Sequence, residues 1–94
     1  MSKRITVQMQ VTLGRAAEFE TFMAAATARV RAEDAGCEQY HLFRSIDDDH
    51  GFALIESWAT AENLEAHRAS EAMAHIGGMR DFLAAPPTLH RYED

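Results

Sequence analysis

One short stretch of the chain, IESWATAENLEAH, holds Glu56, the only tryptophan, Trp58, and His67. A carboxylate, an indole and an imidazole this close can do proton chemistry if they meet in one cleft. His67 is the side chain type best suited to move a proton near neutral pH. Glu56 shares a strand face with Trp58 and Leu54, and a carboxylate among apolar neighbours either pairs with a cation, Arg44 or Arg91 here, or is held protonated more readily than usual. Tyr40 and His41 add a phenol and a second imidazole. Neighbours on a strand point to opposite faces, so only one of these two can share a site with the others. The ordinary alternatives are plain: a tryptophan at a strand end is commonly core, and a helix histidine is commonly hydrogen-bonded locally.

The elements that must position these groups follow from hydropathy patterning. Ile5, Val7, Met9, Val11 and Leu13 alternate with Thr6, Gln8, Gln10 and Thr12, which predicts a strand ended by Gly14. Phe19, Phe22, Met23, Ala26 and Val30 recur at helical spacing and predict an amphipathic helix over 15–34, stopped by Ala35-Gly36. CEQYHLFRSI and GFALIESW are rich in β-favouring residues, and the polar DDDHG between them predicts a hairpin. Thr60 and Ser70 are suited to cap two helical runs, the second interrupted by Gly77-Gly78 and ended by Pro86-Pro87. TLHRYED alternates again as a fourth strand. The order β-α-β-β-α-β over residues 1–94, read as one domain, predicts an α+β, ferredoxin-like fold: an antiparallel sheet with helices on one face.

The second and third strands show no plainly wet face. Cys37, Gln39, His41 and Phe43 oppose Tyr40, Leu42 and Ile46, and both sets carry large, partly apolar groups. Such a sheet is expected to meet another, most simply in a homodimer. Gln8 and Gln10, on the polar side of the first strand, would line a cavity or a wet interface.

Composition narrows the function. Of 94 residues, 47% are hydrophobic and 26% charged, with a net charge of −6 and no basic run, which argues against a nucleic-acid partner. No apolar run approaches a membrane span, and the first residues alternate rather than forming a signal peptide's apolar block. One cysteine, Cys37, allows no internal disulfide. These features give the expectation of a cytoplasmic protein. The scattered histidines show no metal-ligand spacing, so no metal is expected.

The segments GCEQYHLFRSIDDDHGFALIESW, WATAENLEAHRASEAM and PPTLHRYE, with the ordered set Gly36-Cys37, Tyr40, Arg44, Glu56-x-Trp58, Leu64, His67 and Ser70, resemble the antibiotic biosynthesis monooxygenase family across nearly the whole chain. The resemblance implies a subunit that dimerises sheet to sheet as a dimeric α+β barrel. It also implies oxidation of a quinol or aromatic polyketide-type substrate by dioxygen with no metal, flavin or haem cofactor. Relatives degrade haem or isomerise small sugar phosphates, so an isomerase, a haem-degrading protein or a non-catalytic binding protein are the alternatives. Haem degradation is disfavoured because the haem-degrading relatives carry an asparagine where this chain offers Gln8 or Gln10. On this resemblance Trp58 lies in the cleft between sheet and helices. The candidate catalytic residues are then His67, His41 and Tyr40. The candidate substrate pocket is Trp58, Glu56, Gln8, Phe22, Met23 and Met73, although Phe22, Met23 and Met73 also serve as core.

Overall fold

The structure is a computed structural model describing residues 1–94. Four strands, β1 (Lys3–Gln10), β2 (Cys37–Arg44), β3 (Gly51–Trp58) and β4 (Thr88–Glu93), form one antiparallel sheet in the order β2-β3-β1-β4. Helix α1 (Ala16–Glu33) and the consecutive short helices α2 (Ala61–Arg68) and α3 (Glu71–Ile76) supply the helical side. A 3₁₀ segment, Gly77–Phe82, continues α3. This is the ferredoxin-like arrangement, with the second helical region split in two.

The register fixes which side chains share a face, because directly opposed residues in antiparallel strands point the same way. Tyr40, Glu56, Ile5 and Arg91 make one cross-sheet row on the helix side, and Leu42, Leu54, Val7 and Leu89 make the next. On the opposite face the rows are Gln39, Ser57, Arg4 and Tyr92, then His41, Ile55, Thr6 and His90, then Phe43, Ala53, Gln8 and Thr88. The core lies between the first set and the helices. Ile5, Val7, Met9, Phe52, Leu54 and Trp58 meet Phe19, Met23, Ala26 and Val30 from α1, with Leu64, Ala72 and Ile76 from α2 and α3. Phe19 packs on Phe52 at 4.9 Å between ring centres.

Local chemistry explains the boundaries. The Thr60 and Ser70 hydroxyls accept from the backbone N–H groups of Asn63 and Met73, as their sequence positions predict. Gly36 has φ +78°, and a Cβ there would lie 2.2 Å from the Asn63 side chain, so both conformation and space demand glycine. β1 ends at Gln10, earlier than its alternation predicts. Beyond it Val11 N–H still donates to the His50 carbonyl on the β3 side, while on the other edge Val11 bridges to Leu83 and Thr12 N–H donates to the Phe82 carbonyl, so the segment after α3 takes the place of β4 there. The glycine pair Gly77-Gly78 does not stop the helical path but tightens it into the 3₁₀ turns.

Candidate functional site

The end of β3 next to α2 gathers most of the chemistry of the chain. Trp58 is fully buried, and its Nε1–H donates to Glu56 Oε1 at 2.9 Å. This short bond joins two side chains on one strand face, two residues apart. His67, on the buried face of α2, stacks on the indole at 4.3 Å between ring centres and 25° between planes. Tyr40 sits edge-on to both rings, at 6.0 Å from Trp58 and 5.2 Å from His67.

Asp34, just past the end of α1, anchors the far side. Its Oδ2 lies 2.7 Å from His67 Nδ1 and accepts from Ser70 Oγ at 2.9 Å. A carboxylate only accepts, so Nδ1 is the protonated imidazole nitrogen in this contact. Ser70 also caps α3, so one carboxylate ties the end of α1 to both α2 and α3. The pair is buried, with 2% of the His67 and 8% of the Asp34 side chain exposed.

On the other side of Glu56 lies a cavity of about 80 Å³. Its floor is Tyr40 and Glu56; Val7, Leu54, Met73, Ile76, Met79 and Leu89 wall it, and Arg80 and Pro87 are at its rim. Every fully buried side-chain nitrogen or oxygen of the molecule has a hydrogen-bond partner. The Tyr40 hydroxyl and the second Glu56 oxygen have none among the protein groups, so each keeps a small accessible surface, and the cavity that both line provides it. The space is smaller than the ~150 Å³ apolar cavity that holds a benzene ring in an engineered core. Entry of an aromatic ring therefore requires the exposed side chains Arg80, at the rim, and Leu89, in the wall, to shift outward.

The surroundings set the protonation states. Burial raises the Glu56 pKa above the ordinary carboxylate value, and the Trp58 N–H, followed by the fields of His67 and Arg68, opposes the rise. Burial, reinforced by the charge of Glu56, pushes the Tyr40 phenol far above its ordinary value, so it stays a donor at any physiological pH. Cys37, partly buried near Asp34 and Glu56, is likewise raised and is held as a thiol. No group of three or more His, Cys, Asp or Glu side chains is placed to hold a metal ion.

Of the residues selected from the sequence, Tyr40, Glu56, Trp58, His67 and Met73 come together here. Tyr40, Glu56 and Met73 line the cavity, whereas Trp58 and His67 form the packed layer behind it and do not. Thus the indole does not wall the hollow; it reaches it through Glu56 and Tyr40. His41 and Gln8 are exposed on the opposite face of the sheet, where Gln8 joins Gln10, Phe43, Arg44 and Asp48 around an open groove. Met23 is fully buried on the inner face of α1, and Phe22 lies at the edge of that helix, stacked on His75 at 5.3 Å. Glu56 takes its hydrogen bond from Trp58 rather than pairing with an arginine; Arg44 pairs with Glu20 instead. Asp34 and Arg80 were not among the sequence candidates. Asp34 reads as the tail of α1, and no short-range pattern announces a partner 33 residues away.

Residues 4–77 match the family model described as antibiotic biosynthesis monooxygenase. No curated protein matches the sequence. Among solved structures, PA3566 from Pseudomonas aeruginosa is 26% identical, with a TM-score of 0.85 over 99% of this chain and 93% of that one. A candidate antibiotic biosynthesis monooxygenase from Caulobacter crescentus is 24% identical, with a TM-score of 0.90 over 99% of this chain and 89% of that one. A conserved protein from Methanosarcina mazei shares the fold at 16% identity, with a TM-score of 0.89 over 100% of this chain and 93% of that one. No helix of the chain is long and apolar enough to cross a membrane. The match covers most of the sheet, α1, α2 and α3, including Asp34, Tyr40, Glu56, Trp58 and His67, and the chain belongs to the antibiotic biosynthesis monooxygenase family.

Proposed function

We propose that the protein is a monooxygenase that oxidises a phenolic substrate, a quinol or aromatic polyketide-type molecule, with dioxygen and without a metal, flavin or haem cofactor. The observation that carries this reading is the pairing of two polar groups on the floor of one apolar cavity. A buried carboxylate with a raised pKa and one free oxygen stands beside a permanently protonated phenol. A phenolic hydroxyl placed there meets a base and a donor together.

In this reaction Glu56 takes the hydroxyl proton on its free oxygen, and the Tyr40 O–H donates to the oxyanion that forms. The electron-rich anion passes one electron to dioxygen, and the resulting radical and superoxide combine at a ring carbon. The O–O bond then breaks. One oxygen stays as the quinone carbonyl, and the other leaves as water with the phenolic and ring hydrogens. Substrate supplies all the electrons, so no further reductant enters. Trp58 fixes the Glu56 carboxylate through Oε1, and His67, held by Asp34, backs the indole. Met73 and its apolar neighbours exclude water.

The working unit in this proposal is a homodimer formed sheet to sheet. The face away from the helices exposes Phe43 and Tyr92, with Ile55 and Ala53 half-buried between them, alongside Thr6, Gln8, His41 and His90. That mixture of apolar and polar groups suits a wet interface between copies. It also gives His41 and Gln8 a place there rather than in the chemistry.

The test is oxygen uptake by purified, metal-stripped protein supplied with small quinols and naphthols. Turnover is expected in the wild type, with a large loss of kcat in Glu56→Gln and a smaller one in Tyr40→Phe. Binding with no oxygen uptake by any such substrate would overturn the enzymatic reading and leave a ligand-binding protein.

A further inference from the structure

The cations of the chain are almost all engaged. Lys3, Arg4, Arg15, Arg29, Arg44 and Arg68 pair with carboxylates, and Arg31 donates to the Tyr40 carbonyl at 2.8 Å. Arg80 and Arg91 have no such partner. Of these two only Arg80 borders the cavity above Tyr40 and Glu56; Arg91 lines a separate shallow pocket with Lys3 and Leu64. Arg80 projects from the 3₁₀ segment, which is pinned to β1 by the Thr12 N–H to Phe82 carbonyl and Ala84 N–H to Gln10 carbonyl bonds. Its backbone position is therefore set by the sheet.

The cavity thus has chemically distinct ends. A carboxylate and a phenol lie at the buried end, apolar walls in the middle, and an unpaired guanidinium at the exposed end. The buried end repels an anionic group, and the rim attracts one. Resting on the phenol-oxidising reading above, we infer that the substrate is a hydroxy-aromatic acid, and that Arg80 selects it by binding a carboxylate on the side of the ring away from the reacting hydroxyl. Arginine's planar fork suits such a group, because it can donate two parallel hydrogen bonds to the two oxygens. The acid would also enter in one orientation only, hydroxyl first.

The experiment is a Trp58 fluorescence titration with 4-hydroxybenzoate and with its uncharged isostere 4-hydroxybenzamide. The wild type is expected to bind the acid about tenfold more tightly than the amide, a difference of one rim-exposed charge-assisted interaction. Arg80→Gln should bring the two within about twofold, with amide affinity unchanged, while Arg91→Gln keeps the preference. Glu56→Gln should weaken or strengthen both ligands alike and leave the acid-to-amide ratio as in the wild type. Equal wild-type affinity for acid and amide, or a preference that survives in Arg80→Gln, overturns the role of Arg80 while leaving the phenol site standing. Failure of both ligands to bind at millimolar concentration overturns the two readings together. Circular dichroism of Arg80→Gln is expected to match the wild type, because this exposed side chain makes no bond that holds the fold.

Discussion

Replacing Asp34 by alanine should destabilise the protein far more than its position just beyond a helix end implies. The substitution removes the acceptor of two hydrogen bonds at once, from His67 Nδ1 at 2.7 Å and from Ser70 Oγ at 2.9 Å. His67 is 2% exposed, so water does not readily replace the lost partner. Leaving a buried donor without its acceptor costs about 1–3 kcal/mol, and two donors lose theirs here, against about 0.2–1 kcal/mol for an exposed ion pair. A small domain has about 5–15 kcal/mol in total, so Asp34→Ala should forfeit a sizeable part of a typical reserve. In a chain of this size each kcal/mol corresponds to about 4–8 °C in Tm. Urea unfolding followed by Trp58 fluorescence measures the loss directly. Asp34→Asn should recover part of it, because the amide oxygen can still accept. Glu65→Ala, which removes the exposed partner of Arg68, should change stability by less than about 1 kcal/mol. Near-ultraviolet circular dichroism of Asp34→Ala should also lose tryptophan signal, since His67 is stacked on that ring. A loss below about 1 kcal/mol with an unchanged tryptophan spectrum would refute the reasoning.

Two further outcomes follow from the same geometry. The folded-state pKa of Glu56 is raised, so between the ordinary value of 4.5 and the raised one the native state binds more protons than the unfolded chain. Stability contributed by this group therefore falls as pH rises through that window, and Glu56→Gln, which titrates nowhere, should gain on the wild type as pH rises above about 4.5 in paired urea titrations. Ser70→Ala should cost more than Thr60→Ala. Both lose a helix cap of about 1 kcal/mol, but only Ser70 also donates to Asp34.

The fold was legible because each element carries its own local signal. Alternation in β1, the helical spacing of Phe19, Met23, Ala26 and Val30, the caps Thr60 and Ser70, and Gly36 all act within a few residues. Where a distant partner intervenes, legibility fails, as at Val11, where the segment around Leu83 replaces β4 on one edge of the chain. The site divides in the same way. Strand alternation places Glu56 with Trp58 and sets Tyr40 against His41, but it does not say which face meets the helices, and so it selects Gln8 and His41 as readily as Tyr40. His67 could be placed near Trp58 because α2 follows β3 directly. Asp34 and Arg80 could not, because their roles depend on how α1 ends against α3 and on the path of the chain after Gly77-Gly78.

The whole functional account depends on where a phenol docks. Methyl chemical-shift mapping with a small phenol added to labelled protein tests this most directly. The account predicts shifts at Val7, Leu54, Met73, Ile76 and Met79, which wall the cavity above Tyr40 and Glu56, and loss of those shifts on Glu56→Ala. Shifts confined to Ala53 and Ile55, on the opposite face of the sheet, would contradict it.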